Sequence, residues 1–201
     1  MNLRQEFNTN SPGGTNQVFY RLDKLCFWII TDPNYYQDGK AGAIEALMER
    51  VFLFDWGDTL MVDDPANTEK MYLWKDVAAV EGAEETLKAL SKHHTIYIAT
   101  SAQESSEAEI QQAFQRVGLD RYINGYFCKT NVGIEKNCAE FYLAIADELN
   151  VKPDELTMVG DVLNKDVYPA IKAGLNAIWF NRNSEDVPEN IVSISKLEEL
   201  I

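Results

Sequence analysis

From Val51 onward, short apolar runs recur at intervals wide enough for a helix between them. They are VFLFD (Val51 to Asp55), TIYIA (Thr95 to Ala99), GYFC (Gly125 to Cys128), LTMVG (Leu156 to Gly160) and NAIWF (Asn176 to Phe180). Near-continuous apolar runs of this length read as strands buried on both faces. The intervening stretches change period. Ala83, Leu87 and Leu90 share one helical face, as do Ile110, Ala113, Phe114 and Val117. Ser106 followed by Glu109 predicts a capping box, and Gly118, Asn150 and Gly174 predict helix stops. Strands alternating with helices predict an α/β fold, a three-layer sandwich whose parallel sheet is covered on both faces.

Residues 1–47 have a different texture. NTNSPGG, the short apolar piece LCFWII and the turn-rich TDPNYYQDGK follow one another with no sustained period. This stretch reads as an extension of unassigned role and poor order, joined to a folded domain over 48–201. Met48 stands just before VFLFD, so translation starting there is one expectation, and intact-mass analysis of the native protein decides it.

Composition removes several function classes. The 46% apolar and 25% charged fractions are those of a soluble globular chain, and 201 residues suffice for one domain with a sizeable core. A net charge of −14, with only 18 lysines and arginines, supplies no basic field for a nucleic-acid backbone. LCFWII falls far short of the ~18 residues of a spanning helix and lacks signal-peptide flanks, so the expectation is a cytoplasmic protein with no membrane partner. Cys26, Cys128 and Cys138 are unclustered and odd in number, which reads as reduced thiols rather than a disulfide framework.

The polar residues interrupting this pattern fall where strands end. Asp55 closes the first strand and Thr100 and Ser101 follow the second. Lys136 lies in a loop after the third, and GDVLNKD after the fourth carries Asp161 and Asp166. In parallel sheets ligands collect beyond the C-terminal strand ends, so all these groups are expected on one edge. Converging carboxylates repel, and a hard divalent cation relieves them; a lysine and a hydroxyl beside them suit phosphoryl oxygens. Each residue also has a plainer reading: Asp55 as a turn opener, Asp161 and Asp166 as helix-start acids, Thr100 as a cap, Lys136 as a surface lysine. Trp56, Tyr72 and Trp74 read as core, and His93 and His94 as residues favouring a helix C-terminus.

Four of these segments in order, DWGDTL, the strand running into Thr100, Lys136 and GDVLNKD, resemble the four motifs of the haloacid dehalogenase superfamily of phosphotransferases and phosphatases. The resemblance runs from about residue 48 to the C-terminus and implies a Rossmann-like sandwich. It also implies that Asp55 is a nucleophile forming an aspartyl-phosphate that water hydrolyses. By the same resemblance Mg²⁺ is held by Asp55, the Gly57 carbonyl and Asp161, with Asp166 supporting directly or through water. Thr100 and Ser101 then grip phosphate oxygens, and Lys136 offsets charge between phosphate and nucleophile.

One departure stands out. The family's phosphatases read DxDGT where this chain reads DWGDT, so the acid/base position holds Gly57 and an aspartate, Asp58, comes one residue late. Either Asp58 substitutes as acid/base, or it caps the turn and turnover is slowed by the 10²–10⁴-fold that such catalysis typically supplies. The stretches Leu60 to Gly82 and Ser101 to Lys136 are too short for a separate cap domain, which implies a minimal cap or none. An open site suits a phosphorylated small molecule or macromolecule, or a partner subunit that closes it, and the segment before Met48 is a candidate cover. The expected activity is a Mg²⁺-dependent phosphatase. The alternative is a slow phosphate-accepting or binding module. A response-regulator receiver is excluded because its acidic pair precedes the nucleophile. Dehalogenation of a small acid by the same nucleophile is a third reading, against which the paired acids and the missing cap count, since that chemistry needs no metal and a closed apolar pocket.

Overall fold

The computed structural model describes residues 4–10, 16–22, 25–31 and 50–201, and the chain divides into two units, Met1–Leu47 and Met48–Ile201. The first unit holds β1 (Arg4–Asn10), β2 (Asn16–Leu22) and β3 (Leu25–Thr31), an antiparallel sheet in that order. The pairing Leu22↔Leu25 leaves only Asp23 and Lys24 between β2 and β3, the spacing of a tight hairpin. Hydrophobic periodicity predicted no element here. The available signal was composition, since NQVFYRL and LCFWIIT are rich in aromatic and β-branched residues. The turn-rich stretch after Thr31, and Met48 itself, lie outside the described residues.

The second unit runs β4 (Val51–Phe54), α1 (Ala83–Leu90), β5 (Thr95–Ala99), α2 (Glu107–Arg116), β6 (Gly125–Phe127), α3 (Lys129–Val132), α4 (Ala139–Leu149), β7 (Leu156–Gly160), α5 (Tyr168–Lys172), β8 (Asn176–Phe180) and β9 (Val192–Ile194). The six strands form one parallel sheet in the order β6-β5-β4-β7-β8-β9. All five strands expected from the apolar runs are present. The added edge strand β9 has three residues, too few to show a period.

Side chains alternate across the sheet as the pleat requires. Phe52 and Phe54 join Ile96, Ile98, Val159 and Ile178 on one face, under α1 and α2, where Leu87, Ile110 and Phe114 are fully buried. Leu53 points to the other face with Met158 and Phe127, covered by Phe141, Tyr142 and Ile145 of α4. Helix ends follow local chemistry. At the start of α2 the Ser106 N–H donates to Glu109 at 2.8 Å and Ser106 Oγ accepts from the Glu109 N–H at 3.4 Å, the predicted capping box. Helix α4 stops at Asn150 in the left-handed region, φ 54°.

Strand order fixes where a site forms. From β4 the chain builds outward through β5 and β6, then returns to β7 on the other side of β4. The crevice beyond the ends of β4 and β7 is therefore the switch point at which open α/β sheets bind ligands. Between Met61 and Val80 the chain makes one 3₁₀ turn, Met71–Leu73, and is strapped to α2. Lys70 pairs with Glu109 at 2.8 Å and donates to the Glu104 carbonyl, while Arg116 donates to the carbonyls of Tyr72 and Lys75. From Ser101 to Lys136 the chain holds α2, β6 and α3. Among the described residues no helix is long and apolar enough to cross a membrane.

Candidate active site

The two central strands deliver their C-terminal residues to one point. The Asp55 N–H donates to the Val159 carbonyl at 2.9 Å, continuing the β4–β7 ladder by one step, so the Asp55 carboxyl emerges beside Gly160 and Asp161. Lys136 arrives from the loop between α3 and α4. Its Nζ lies 2.5 Å from Asp55 Oδ1, 2.8 Å from Asp166 Oδ1 and 2.5 Å from the Ala99 carbonyl. An ammonium has three N–H donors, and all three are used. Lys136 therefore holds the nucleophile candidate in place rather than reaching freely into solvent. Its side chain is fully buried, which excludes the surface-lysine reading.

Asp166 is buried as well, and its Oδ2 accepts the Val162 N–H at 2.8 Å. A π-type turn, Leu163–Val167, turns this carboxylate back over β7. Gly160 makes the room: a Cβ there would lie 2.3 Å from Asp166 Oδ2, so no other residue fits without dislodging the carboxylate. Asp161 Oδ1 accepts from the fully buried Thr59 hydroxyl at 3.2 Å, and its carbonyl accepts from Trp179 Nε1 at 2.8 Å. Thr59 was not among the sequence candidates, although it follows the carboxylate pair in DWGDT.

Asp55, Asp161 and Asp166 each offer a carboxylate oxygen, and these oxygens lie within 4.8 Å of one another. Three carboxylates against one ammonium leave a formal deficit of positive charge. Burial pushes the Asp55 carboxyl up to about 7, with Asp166 and Asp161 adding to the rise and Lys136 opposing it. Burial and then Asp166 likewise raise Asp161. For Lys136 burial alone favours the neutral amine, but Asp166 and Asp55 outweigh it and keep the ammonium. A dry, all-oxygen donor set short of positive charge fits a hard divalent cation.

The remaining candidates sit around a cavity of about 360 Å³ whose walls include Asp55, Gly57, Asp58, Thr100, Ser101 and Asp161. Thr100 is buried, and its Oγ1 accepts the Ala102 N–H at 3.2 Å, which leaves its own proton to donate. Ser101 follows it on the cavity wall. Asp58 is drawn outward: in the left-handed region at φ 53°, its N–H donates to the Met61 carbonyl and its Oδ1 accepts from Arg182 at 3.0 Å and from the Asp63 N–H at 3.4 Å. That is a turn-capping arrangement with an ion pair.

Sequence reading passed over further cavity residues, Asp63, Asn67, Glu69, Ser105 and Lys165, because none stands at a strand end. Partial burial, then Asp58, raises the Asp63 carboxyl. Trp56 and Trp74 are core, as expected, yet also line the cavity. A larger hollow, about 660 Å³, lies at the opposite end of the sheet near His93, His94 and Arg121, and no carboxylate lines it. Among the described residues Cys128 and Cys138 are free thiols.

Known proteins resemble the chain in sequence and in fold. The haloacid dehalogenase-like hydrolase family model matches residues 69–174, more than half of the chain. Glyceraldehyde 3-phosphate phosphatase of Pyrococcus furiosus is 29% identical over 114 residues, covering 57% of this chain and 45% of that protein; the chain thus spans under half of that relative's length. Pyrimidine 5′-nucleotidase YjjG of Escherichia coli is 28% identical over 210 residues, covering 96% of this chain and 91% of that protein. The crystal structure of the putative HAD-hydrolase YfnB from Bacillus subtilis, bound to magnesium, superposes with a TM-score of 0.62 at 17% identity, over 76% of this chain and 96% of that one. A six-stranded parallel sheet with this site at its switch point and a family match across more than half of its length lead to one conclusion: the chain belongs to the haloacid dehalogenase-like hydrolase family.

Proposed function

We propose that the chain hydrolyses phosphomonoesters of small molecules in a Mg²⁺-dependent reaction through an aspartyl-phosphate on Asp55. The observation that carries this reading is the convergence of a buried Asp55, clamped by Lys136, with Asp161 and Asp166 in one all-oxygen set. Asp55 is the nucleophile, and Lys136 orients it and offsets its charge. Asp55, Asp161 and the Gly57 carbonyl hold Mg²⁺. Asp166, with both oxygens already in hydrogen bonds, supports the cation through water. When bound, Mg²⁺ supplies charge neutralisation at the phosphoryl oxygens. Thr100 and Ser101 bind those oxygens from the β5 side. A cavity of about 360 Å³ is at the small end of the range for small-molecule sites, and the relatives named above act on glyceraldehyde 3-phosphate and a nucleotide.

Gly57 and the Asp58–Arg182 pair favour a second reading, in which the aspartyl-phosphate forms and persists because no acid/base group serves it. Phosphate release from a panel of phosphomonoesters, with and without Mg²⁺ and with Asp55→Asn as control, tests both. Mg²⁺-dependent turnover that falls to background in Asp55→Asn supports the phosphatase. Stoichiometric labelling of Asp55 without turnover supports the acceptor.

A further inference from the structure

Hydrolysis of an alkyl phosphate at Asp55 expels an alkoxide, which needs a proton, and the phosphorylated aspartate then needs a water relieved of one. Of the carboxylates on the cavity wall, all but Asp63 and Glu69 are committed, and of these two it is Asp63 that borders Gly57. Asp55 is clamped by Lys136, Asp166 is shared between Lys136 and the Val162 N–H, Asp161 is held by Thr59, and Asp58 is held by Arg182.

Resting on the phosphatase reading, we propose that Asp63 is the catalytic acid and base of this site. Its carboxyl stands in contact range of the space that a side chain at residue 57 would enter. A Cβ built on Gly57 would stand 3.4 Å from Asp63 Oδ2, 3.5 Å from its Cβ and 3.6 Å from its Cγ. Gly57 is not among the glycines with positive φ, so the backbone does not require glycine there. At these ordinary contact distances Asp63 borders the position from which a longer side chain at 57 would reach the cavity. At the other wall Gly160 yields its side-chain space outright to Asp166, whereas Asp63 only borders that of Gly57; in both cases the carboxylate comes from six residues downstream, 57 to 63 and 160 to 166. Two contacts hold Asp63 at the cavity wall: its own N–H donates to Asp58 Oδ1 at 3.4 Å, and the preceding Val62 N–H donates to the Ala78 carbonyl at 2.9 Å. It is exposed enough to exchange protons with water between turnovers.

The steps balance. As the bond from Asp55 Oδ to phosphorus forms and the bond from phosphorus to the alcohol oxygen breaks, the Asp63 carboxylic acid gives its proton to that oxygen and becomes a carboxylate. Water then attacks phosphorus and passes a proton to Asp63, the bond from phosphorus to Asp55 breaks, and inorganic phosphate leaves with both aspartates restored.

The test compares Asp63→Asn with wild type on 4-nitrophenyl phosphate, whose phenolate leaves without a proton near neutral pH, and on β-glycerol phosphate, whose alkoxide does not. Turnover of β-glycerol phosphate falls by about 100-fold or more. The aryl ester gives a burst of nitrophenolate near one per site, then a slow phase with phosphate retained on Asp55. A role confined to structure gives no burst. Gly57→Asp in the Asp63→Asn background returns a carboxyl to the cavity wall and recovers turnover. Asp63→Asn turnover at the wild-type level, or an equal loss on both esters without a burst, overturns the role of Asp63 and leaves the phosphatase reading standing. Wild type inert toward both esters, with no label on Asp55, overturns both.

Discussion

Two pairs of aspartates border the same cavity and live in opposite settings. Asp55 and Asp166 are buried at the end of the sheet and share one lysine whose every N–H is spoken for. Asp58 and Asp63 stand on the loop that follows, near water, with Asp58 in an ion pair and Asp63 over Gly57. The first pair is fixed by the shared ammonium, with Asp166 also accepting the Val162 N–H. In the second, Asp58 is held by Arg182 while Asp63 stands near water on the cavity wall. The function proposed above, in which a cation and a nucleophile are held still while protons pass at each turnover, is served by this division.

The largest way to break the comparison is to remove the shared cation of the buried group. Lys136→Met keeps most of the side chain's volume but leaves Asp55 and Asp166 without their counterion in a buried site. Loss of one partner from such a pair costs roughly 3–5 kcal/mol, so urea unfolding shows a midpoint far below that of wild type. Mg²⁺ recovers part of that stability by binding the folded state. A variant as stable as wild type without Mg²⁺ would mean that the two aspartates take up protons at no cost, and the buried group would then be no more rigid than the exposed one.

This contrast also explains what was legible in the sequence. Asp55, Thr100, Lys136, Asp161 and Asp166 stand at or after strand ends, and the strands were visible as apolar runs bounded by polar residues, so topology alone assembled them on one edge. Capping at Ser106 and the stop at Asn150 were legible because their chemistry is local. Asp63 and Thr59 were not, because their positions depend on how the loop from Gly57 to Val80 folds back, and that loop is fixed by contacts distant in sequence, such as Lys70 with Glu109 and Arg116 with the Tyr72 carbonyl. The strands of the first unit escaped for a different reason: their signal is residue type rather than period.

A second prediction sharpens the electrostatics of the buried group. Burial is the main cause that lifts the Asp55 carboxyl to about 7, so below that pH the metal-free site carries a proton there. Mg²⁺ must displace it. The apparent affinity for Mg²⁺, measured calorimetrically, therefore weakens as pH falls below 7, approaching about tenfold per pH unit, and levels off above it. Proton release accompanies binding at pH 6 and is much smaller at pH 8. An affinity flat from pH 5.5 to 8 would mean that Lys136 already keeps Asp55 ionised, with burial the lesser influence.

The smallest expected effect comes from the exposed group. Asp58 and Arg182 meet at 3.0 Å with side chains 38% and 39% exposed, and ion pairs in such a setting contribute about 0–1 kcal/mol. Arg182→Ala is expected to shift stability by no more than that and to leave Mg²⁺ affinity unchanged, because Arg182 touches none of the three carboxylates of the buried set. Turnover on alkyl phosphates is the informative readout. Asp58 Oδ1 accepts from both Arg182 and the Asp63 N–H, so it links the end of β8 to the residue standing over Gly57. If that link only caps the turn, turnover stays within about fivefold of wild type, the equivalent of ~1 kcal/mol. If turnover falls much further while stability and Mg²⁺ affinity hold, the exposed group is positioned from β8 as firmly as the buried one is by Lys136. The division between a fixed and a mobile set of aspartates would then be one of solvent access alone.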